Sequence, residues 1–198
     1  MTEPVRRTIG DDVAVVPVVN IANALTVFRI VLVPVFVVLL FVGGGDETAW
    51  RVSAFVVFVV AALTDQLDGK LARQLNLVTD FGKMADPIAD KALIGAALIG
   101  LSILGDLPWW VTVVILAREV GVTLLRFWVL RYGVIPASRG GKLKTLLQSM
   151  AIGLFVLPLS GGWHTAAWVL MIAALVATVA TGVDYVWRAL ALRRRNVV

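Results

Sequence analysis

The chain has 198 residues, of which 60% are hydrophobic and 16% are charged. Soluble domains contain roughly 45–50% apolar residues, so a bilayer must be the solvent for much of this chain. It has no cysteine, which excludes disulfides, thiolate metal sites and cysteine nucleophiles, and a metal must bind oxygen ligands or the single histidine. The net charge of +5 lies in short loops between apolar runs, which favours lipid head groups or phosphorylated substrates over nucleic acid.

The apolar runs predict an all-α integral membrane protein with six transmembrane helices. Runs of roughly 20 apolar residues lie at about 21–42, 50–72, 84–104, 108–131, 144–160 and 164–188. Turn-forming segments such as "GGGDET", "GDLP" and "PASRGG" separate them. We assign residues 20–192 to one six-helix domain, 1–19 to an N-terminal tail or interfacial segment, and 193–198 to a basic C-terminal tail.

The basic residues predict the orientation of the helices. The loops after the first and third helices contain almost none, with Arg51 as the exception. The other side collects Arg6, Arg7, Lys70, Arg73, Lys83, Arg131, Arg139, Lys142, Lys144, Arg193, Arg194 and Arg195. By the positive-inside rule we expect a multi-pass protein of the cell inner (plasma) membrane, with both termini in the cytoplasm.

An acidic cluster lies between the second and third apolar runs, in "LTDQLDGKLARQLNLVTDFGKMADPIADKAL". From Trp50 to Asp65, about fourteen residues span about 21 Å of a hydrocarbon core that is about 30 Å thick. Asp65 therefore lies below the membrane surface, and the same count on the third helix places Asp90 at a similar depth. A carboxylate in lipid costs at least about 2.5–3.5 kcal/mol. We expect these side chains to face a polar cavity open to the cytoplasmic side.

The aspartate spacing favours a metal site. Spacings of i, i+3 and i, i+4 place Asp65 with Asp68, and Asp86 with Asp90, each on one helix face. Four converging carboxylates repel one another unless a divalent cation, or a pair of them, neutralises the charge. The alternative is a set of structural salt bridges with Lys70, Arg73, Lys83 and Lys91.

Residues 65–90 follow the pattern D-x2-D-G-x2-A-R-x8-G-x3-D-x3-D. At all eight positions this resembles the signature of the CDP-alcohol phosphatidyltransferase family. The resemblance implies a six-helix membrane enzyme, often homodimeric, that transfers a phosphatidyl or related group from a CDP-linked lipid to an alcohol and releases CMP.

The resemblance also implies roles for the signature residues. Asp65, Asp68 and Asp86 would bind two Mg²⁺ or Mn²⁺ ions, and Asp90 would be the general base and an additional ligand. Contacts to the cytidine diphosphate would come from Gly69, Ala72 and Arg73.

Three further stretches of the sequence indicate a subfamily within this family. They are "NIANALTVFRIVLVPVF" at 20–36, "LAREVGVTLLR" at 116–126 and "GKLKTLLQ" at 141–148. They resemble parts of bacterial phosphatidylglycerophosphate synthases, which implies CDP-diacylglycerol as donor and sn-glycerol 3-phosphate as acceptor. The same chemistry with inositol 1-phosphate or phosphatidylglycerol as acceptor stays open, and a cation transporter is a remote alternative.

Polar residues inside apolar runs are further candidates. Arg118 and Glu119 fall near the bilayer centre, where an ionisable pair must face a partner or a water-filled cavity. We expect the acceptor phosphate to bind Arg118, Arg126, Lys142 and Lys144, because guanidinium and ammonium groups match phosphate oxygens. The alternative for these cations is contact with lipid head groups.

A polar face on the first helix is a candidate for contact with the CDP-lipid. Its residues are Asn23, Thr26 and Arg29. The alternative is snorkelling to the interface or hydrogen bonding between helices.

Overall fold

The structure is a computed structural model that describes residues 21–74, 80–129 and 139–195, but not the side chains of 22, 65–74, 80–87, 90, 139–140, 142 and 194–195. The described residues form six α-helices and one 3-10 helix, which confirms the all-α prediction for this part of the chain. The α-helices are α1 (Ile21–Phe41), α2 (Thr48–Gln74), α3 (Asp80–Ile103), α4 (Trp109–Val129), α5 (Arg139–Val156) and α6 (Gly162–Arg195), and the 3-10 helix is Val42–Gly45.

Two helices, α5 and α6, differ most from their predicted bounds, and α3 begins at Asp80 rather than near 84. α5 begins at Arg139 rather than near 144, so the glycines of "PASRGG" lie in its first turn, where backbone amides have no intrahelical partner in any case. It ends at Val156 rather than near 160, because Pro158 follows and proline disfavours helical geometry in the residue before it. α6 continues beyond 188 to Arg195, so residues 193–195 of the predicted tail are helical.

The bundle is held together by close helix packing. α1 lies against α2 and α3, α6 lies against α4 and α5, and α5 also contacts α2 and α3. At Gly100 of α3, a Cβ atom would come within 2.6 Å of Leu40 Cδ2 on α1. Glycine lets the two backbones approach at this point.

Contacts at the helix ends show that α2 and α3 run in opposite directions and that α4 and α6 end on the same side of the bundle. Arg51, near the start of α2, forms an ion pair with Asp106 in the turn between α3 and α4. At the other end, the guanidinium of Arg193 on α6 lies over the Trp128 ring of α4, 5.4 Å from its centroid. We call the end where α2 finishes and α3 begins the motif end, and the end with Arg51 and Asp106 the opposite end.

Apolar side chains cover the outside of the bundle. On α1 alone, Val27, Phe28, Val31 and Val38 are exposed. A large exposed apolar surface marks contact with a membrane or another protein. The helical stretches Asn23–Gly45 and Gly162–Arg193 are long and apolar enough to cross a membrane, whereas the apolar parts of α2, α3 and α5 are shorter. The structure is therefore consistent with a bilayer protein, and six spans stay a prediction.

Candidate functional site

The family signature falls on the adjoining ends of two successive helices. Asp65 and Asp68 lie in the final turns of α2, and Asp86 and Asp90 lie in the first half of α3. The side chains of these four residues lie outside the described part of the structure, as do those of Gly69, Ala72, Arg73 and Lys142. Their predicted roles therefore stay predictions, and only their positions on the helices are fixed.

The polar face of α1 points into the protein. Asn23, Thr26 and Arg29 are spaced three residues apart, and they are 5%, 1% and 0% exposed. Each of them makes a polar interaction. Since α1 packs against α2 and α3, this face turns toward the two helices that carry the signature. The burial of Arg29 is incompatible with snorkelling to the lipid interface and leaves the interhelical and CDP-lipid interpretations open.

Glu119 on α4 compensates one buried cation, Lys144, and one half-buried cation, Arg118. Its Oε1 accepts one hydrogen bond from Arg118 NH1 at 3.0 Å and another from Lys144 Nζ on α5. Lys144 is only 5% exposed. Burying an ion costs several kcal/mol unless a partner compensates it, and the shared carboxylate supplies that partner. This confirms the prediction that Arg118 and Glu119 face a partner inside the bundle.

Arg118 directs its other donors toward α6. Nε donates to the carbonyl oxygen of Thr178 at 3.1 Å, and NH2 donates to Thr181 Oγ1 at 2.8 Å. Gly182 leaves room for the side chain, because a Cβ atom there would lie 3.2 Å from Arg118 Cγ. The guanidinium thus links α4 to α6. Its predicted role in binding the acceptor phosphate gains no support from this placement.

A cavity of about 160 Å³ lies between α3, α4 and α5. It is lined by Lys91, Ile94, Leu116, Glu119, Val120, Lys144, Thr145 and Gln148. Since a water in the liquid takes about 30 Å³, there is room for several waters or for one small polar molecule. Among the described lining residues, two ammonium groups against one carboxylate give an excess of positive charge, which attracts a small anion.

Of the four cations predicted to bind the acceptor, Lys144 lies on this cavity. Arg126 is exposed on α4 and is not among the lining residues, and Arg118 is turned to α6. The described residues thus line a partly polar cavity between α3, α4 and α5, while the predicted cavity at the signature aspartates and the side on which it opens stay predictions.

Lys91 is a site candidate that no sequence pattern indicated. It follows Asp90 directly, and sequence neighbours lie on different faces of a helix. Sequence alone therefore suggested only a salt bridge to the signature carboxylates. In the structure, Lys91 Nζ donates to Thr123 Oγ1 on α4, and the Thr123 hydroxyl donates to the carbonyl oxygen of Glu119 at 2.7 Å. Lys91 is thus linked to Glu119 through the Thr123 hydroxyl, and Lys144 is bonded to the Glu119 carboxylate directly.

Comparison with known proteins places the chain in a family. The model of the CDP-alcohol phosphatidyltransferase family matches residues 19–180, which contain every α-helix but the last part of α6. The chain belongs to this family. The resemblance carried by the eight signature positions is therefore confirmed.

Relatives narrow the comparison further. A protein named probable phosphatidylglycerophosphate synthase from Mycobacterium tuberculosis (strain CDC 1551 / Oshkosh) is 64% identical over 173 residues, which cover 87% of this chain and 83% of the relative. The CDP-diacylglycerol--glycerol-3-phosphate 3-phosphatidyltransferase of Bacillus subtilis (strain 168) is 40% identical over 148 residues, with 70% and 77% covered. The enzyme of that name from Rickettsia typhi (strain ATCC VR-144 / Wilmington) is 42% identical over 143 residues, with 72% and 79% covered.

Proposed function

We propose that the protein transfers the phosphatidyl group from CDP-diacylglycerol to sn-glycerol 3-phosphate, giving phosphatidylglycerophosphate and CMP in phospholipid biosynthesis. One observation about α3 carries this proposal. The family signature ends at Asp90, and the next residue, Lys91, lines a small cavity with excess positive charge. Such a cavity suits a small phosphorylated alcohol. The names of the relatives support the same reaction.

Asp90 would start the reaction as general base. Its carboxylate takes the proton of the primary hydroxyl of the acceptor, and the hydroxyl oxygen attacks the phosphorus that carries the diacylglycerol. The bond between that phosphorus and the CMP oxygen then breaks, and CMP leaves. Arg73 would stabilise the charge on the departing CMP, since a guanidinium matches phosphate oxygens.

The remaining CDP-lipid contacts would come from α1 and α2. Gly69 and Ala72 are small, so the diphosphate can approach the backbone of α2 closely. Asn23, Thr26 and Arg29, buried on the face of α1 that turns toward the signature helices, would contact the nucleotide or its diphosphate.

The signature carboxylates have the chemistry of a divalent-cation site. Asp65, Asp68, Asp86 and Asp90 offer hard oxygen ligands on adjoining ends of two successive helices. We propose that they hold two Mg²⁺ or Mn²⁺ ions, which when bound supply Lewis-acid polarisation of the diphosphate.

We further propose that all six helices cross the inner (plasma) membrane, with both termini and the motif end in the cytoplasm. The support is the opposite direction of α2 and α3 and the basic residues in the last turns of α2, in the first turn of α3 and after α4. The acyl chains of the donor would lie among membrane lipids against the exposed apolar side chains, and the acceptor would enter from the cytoplasm. Family resemblance supports a homodimer.

Release of CMP by the purified protein tests the proposed function. CDP-diacylglycerol in mixed micelles is offered with sn-glycerol 3-phosphate, inositol 1-phosphate or phosphatidylglycerol, each with and without a chelator. We expect CMP with glycerol 3-phosphate, loss of activity with the chelator, and recovery when Mg²⁺ or Mn²⁺ is returned. Release with inositol 1-phosphate or phosphatidylglycerol instead would assign a different acceptor, and activity in excess chelator would overturn the metal proposal.

A further inference from the structure

The phosphate of the acceptor needs cations that point into one space, and two of the four cations predicted from sequence do not. Arg118 is directed toward α6, and Arg126 is exposed away from the cavity lining. Lys144 lines the cavity, but its ammonium group is already bonded to Glu119. One ammonium group that shares a carboxylate is a weak site for a phosphomonoester, which carries close to two negative charges at neutral pH.

Lys91 supplies a second cation from the α3 wall of the cavity. Its ammonium group is held by Thr123, and that of Lys144 is held by Glu119. Thr123 and Glu119 are one turn apart on α4, so the two ammonium groups are anchored to neighbouring positions on the same face of that helix. A phosphate group has several oxygens that accept charge-assisted hydrogen bonds, so one phosphate in the cavity can bind both lysines.

Gln148 indicates that the cavity is built for a polar occupant. It is 3% exposed, lies on the cavity wall, and its Oε1 has no hydrogen-bond partner among the described residues. A buried acceptor without a donor destabilises the protein by about 1–3 kcal/mol. Gln148 therefore gives the cavity wall a polar group without a partner among the described residues, and a hydroxyl of a bound polyol is a donor of the required kind.

We propose that Lys91 binds the acceptor and forms, with Lys144, a two-lysine clamp for its phosphate; this rests on the proposed function. The phosphate and the primary hydroxyl of glycerol 3-phosphate are at opposite ends of a three-carbon chain. Lys91 and Asp90 are consecutive on α3, so the clamp holds the phosphate beside the helix segment that carries the proposed general base. The clamp therefore acts on the affinity for the acceptor.

Steady-state kinetics with Lys91→Gln test the proposal, with Lys144→Gln as the second clamp variant. Hydrogen bonds from charged donors change affinity roughly 10- to 150-fold. We expect each variant to raise the KM for sn-glycerol 3-phosphate by such a factor and to leave the KM for CDP-diacylglycerol within about twofold. The matched control is Arg188→Gln, an exposed basic residue on α6 paired with Asp184, which should change neither KM.

A binding measurement separates the clamp from a loss of folding. Without CDP-diacylglycerol, glycerol 3-phosphate should raise the thermal midpoint of the wild-type protein in detergent, because a ligand stabilises the state that binds it. It should not raise that of Lys91→Gln. A Lys91→Gln protein with an unchanged KM and a full midpoint shift would overturn the clamp while leaving the proposed function intact. A wild-type protein that releases no CMP with glycerol 3-phosphate would instead overturn the function.

Discussion

Two arginines, Arg51 buried and Arg118 half-buried, are compensated in different ways. Arg51, at the opposite end of the bundle, pairs with Asp106 in a turn, and its Nε and NH1 have no partner among the described residues. Arg118 donates hydrogen bonds from three nitrogen atoms, two of them to residues of α6 and one to Glu119. The carboxylate of Asp106 is about one-third exposed, whereas that of Glu119 also binds Lys144 and lines the cavity.

The Arg51–Asp106 ion pair connects the ends of helices, whereas the Glu119 ion pairs position charged groups at the candidate site. Arg51 and Asp106 join the start of α2 to the turn after α3, far along the chain from the signature. Glu119 joins α4 to α5 and sets where the ammonium group of Lys144 lies. Loss of Asp106 should therefore reduce stability alone, while loss of Glu119 should reduce stability and acceptor binding together.

The largest effect is expected at the signature residue beside the cavity. Asp90→Asn removes the general base, a contribution of about 10²–10⁴ in rate, and we expect kcat for CMP release to fall by such a factor. Thermal unfolding should change little, because asparagine has nearly the same shape. Undiminished turnover of Asp90→Asn would refute the base assignment.

Glu119→Gln should have the next largest effect. Removing one member of a buried ion pair destabilises a protein by about 3–5 kcal/mol, and here Arg118 and Lys144 would be left as neighbouring cations. We expect a lower thermal midpoint and a raised KM for glycerol 3-phosphate, because the loss of the group that positions Lys144 outweighs the gain in positive charge. Glu119→Asp keeps the charge and should recover most of the stability but only part of the affinity. A normal KM in Glu119→Gln would make the cluster purely structural.

Asp106→Asn tests whether the Arg51–Asp106 ion pair contributes to stability alone. It leaves the guanidinium of Arg51 without its carboxylate, which we expect to cost about 1–3 kcal/mol of stability. Both KM values should remain within about twofold of wild type when measured well below the unfolding temperature. A large rise in the KM for glycerol 3-phosphate would show that the two ends of the bundle are coupled.

The smallest effect is expected for Arg126→Gln. The residue is exposed on α4 and does not line the cavity, and substitutions at such positions are usually within about 0.5 kcal/mol. The KM for glycerol 3-phosphate should be unchanged, in contrast to that of Lys91→Gln. A tenfold rise would instead support the assignment of Arg126 to the acceptor phosphate that its spacing from Arg118 suggested.

Helix positions could be predicted from the sequence because they depend on local properties. Runs of apolar residues of spanning length and intervening turn residues indicated all six helices. The errors occur where local signals are ambiguous. Glycines at 140 and 141 predicted a loop but lie in the first turn of α5, and α6 continues two turns past its predicted end.

The sequence by itself determined the class of protein, the six helices and the family, because the hydrophobic excess and the eight spaced signature residues are properties of the linear chain. Only the tertiary structure decided that Arg118 turns to α6, that Glu119 is shared with Lys144, and that Lys91 enters the same cavity. Spacing along one helix fixes which of its residues share a face. Which face meets which neighbour depends on the packing of all the helices together.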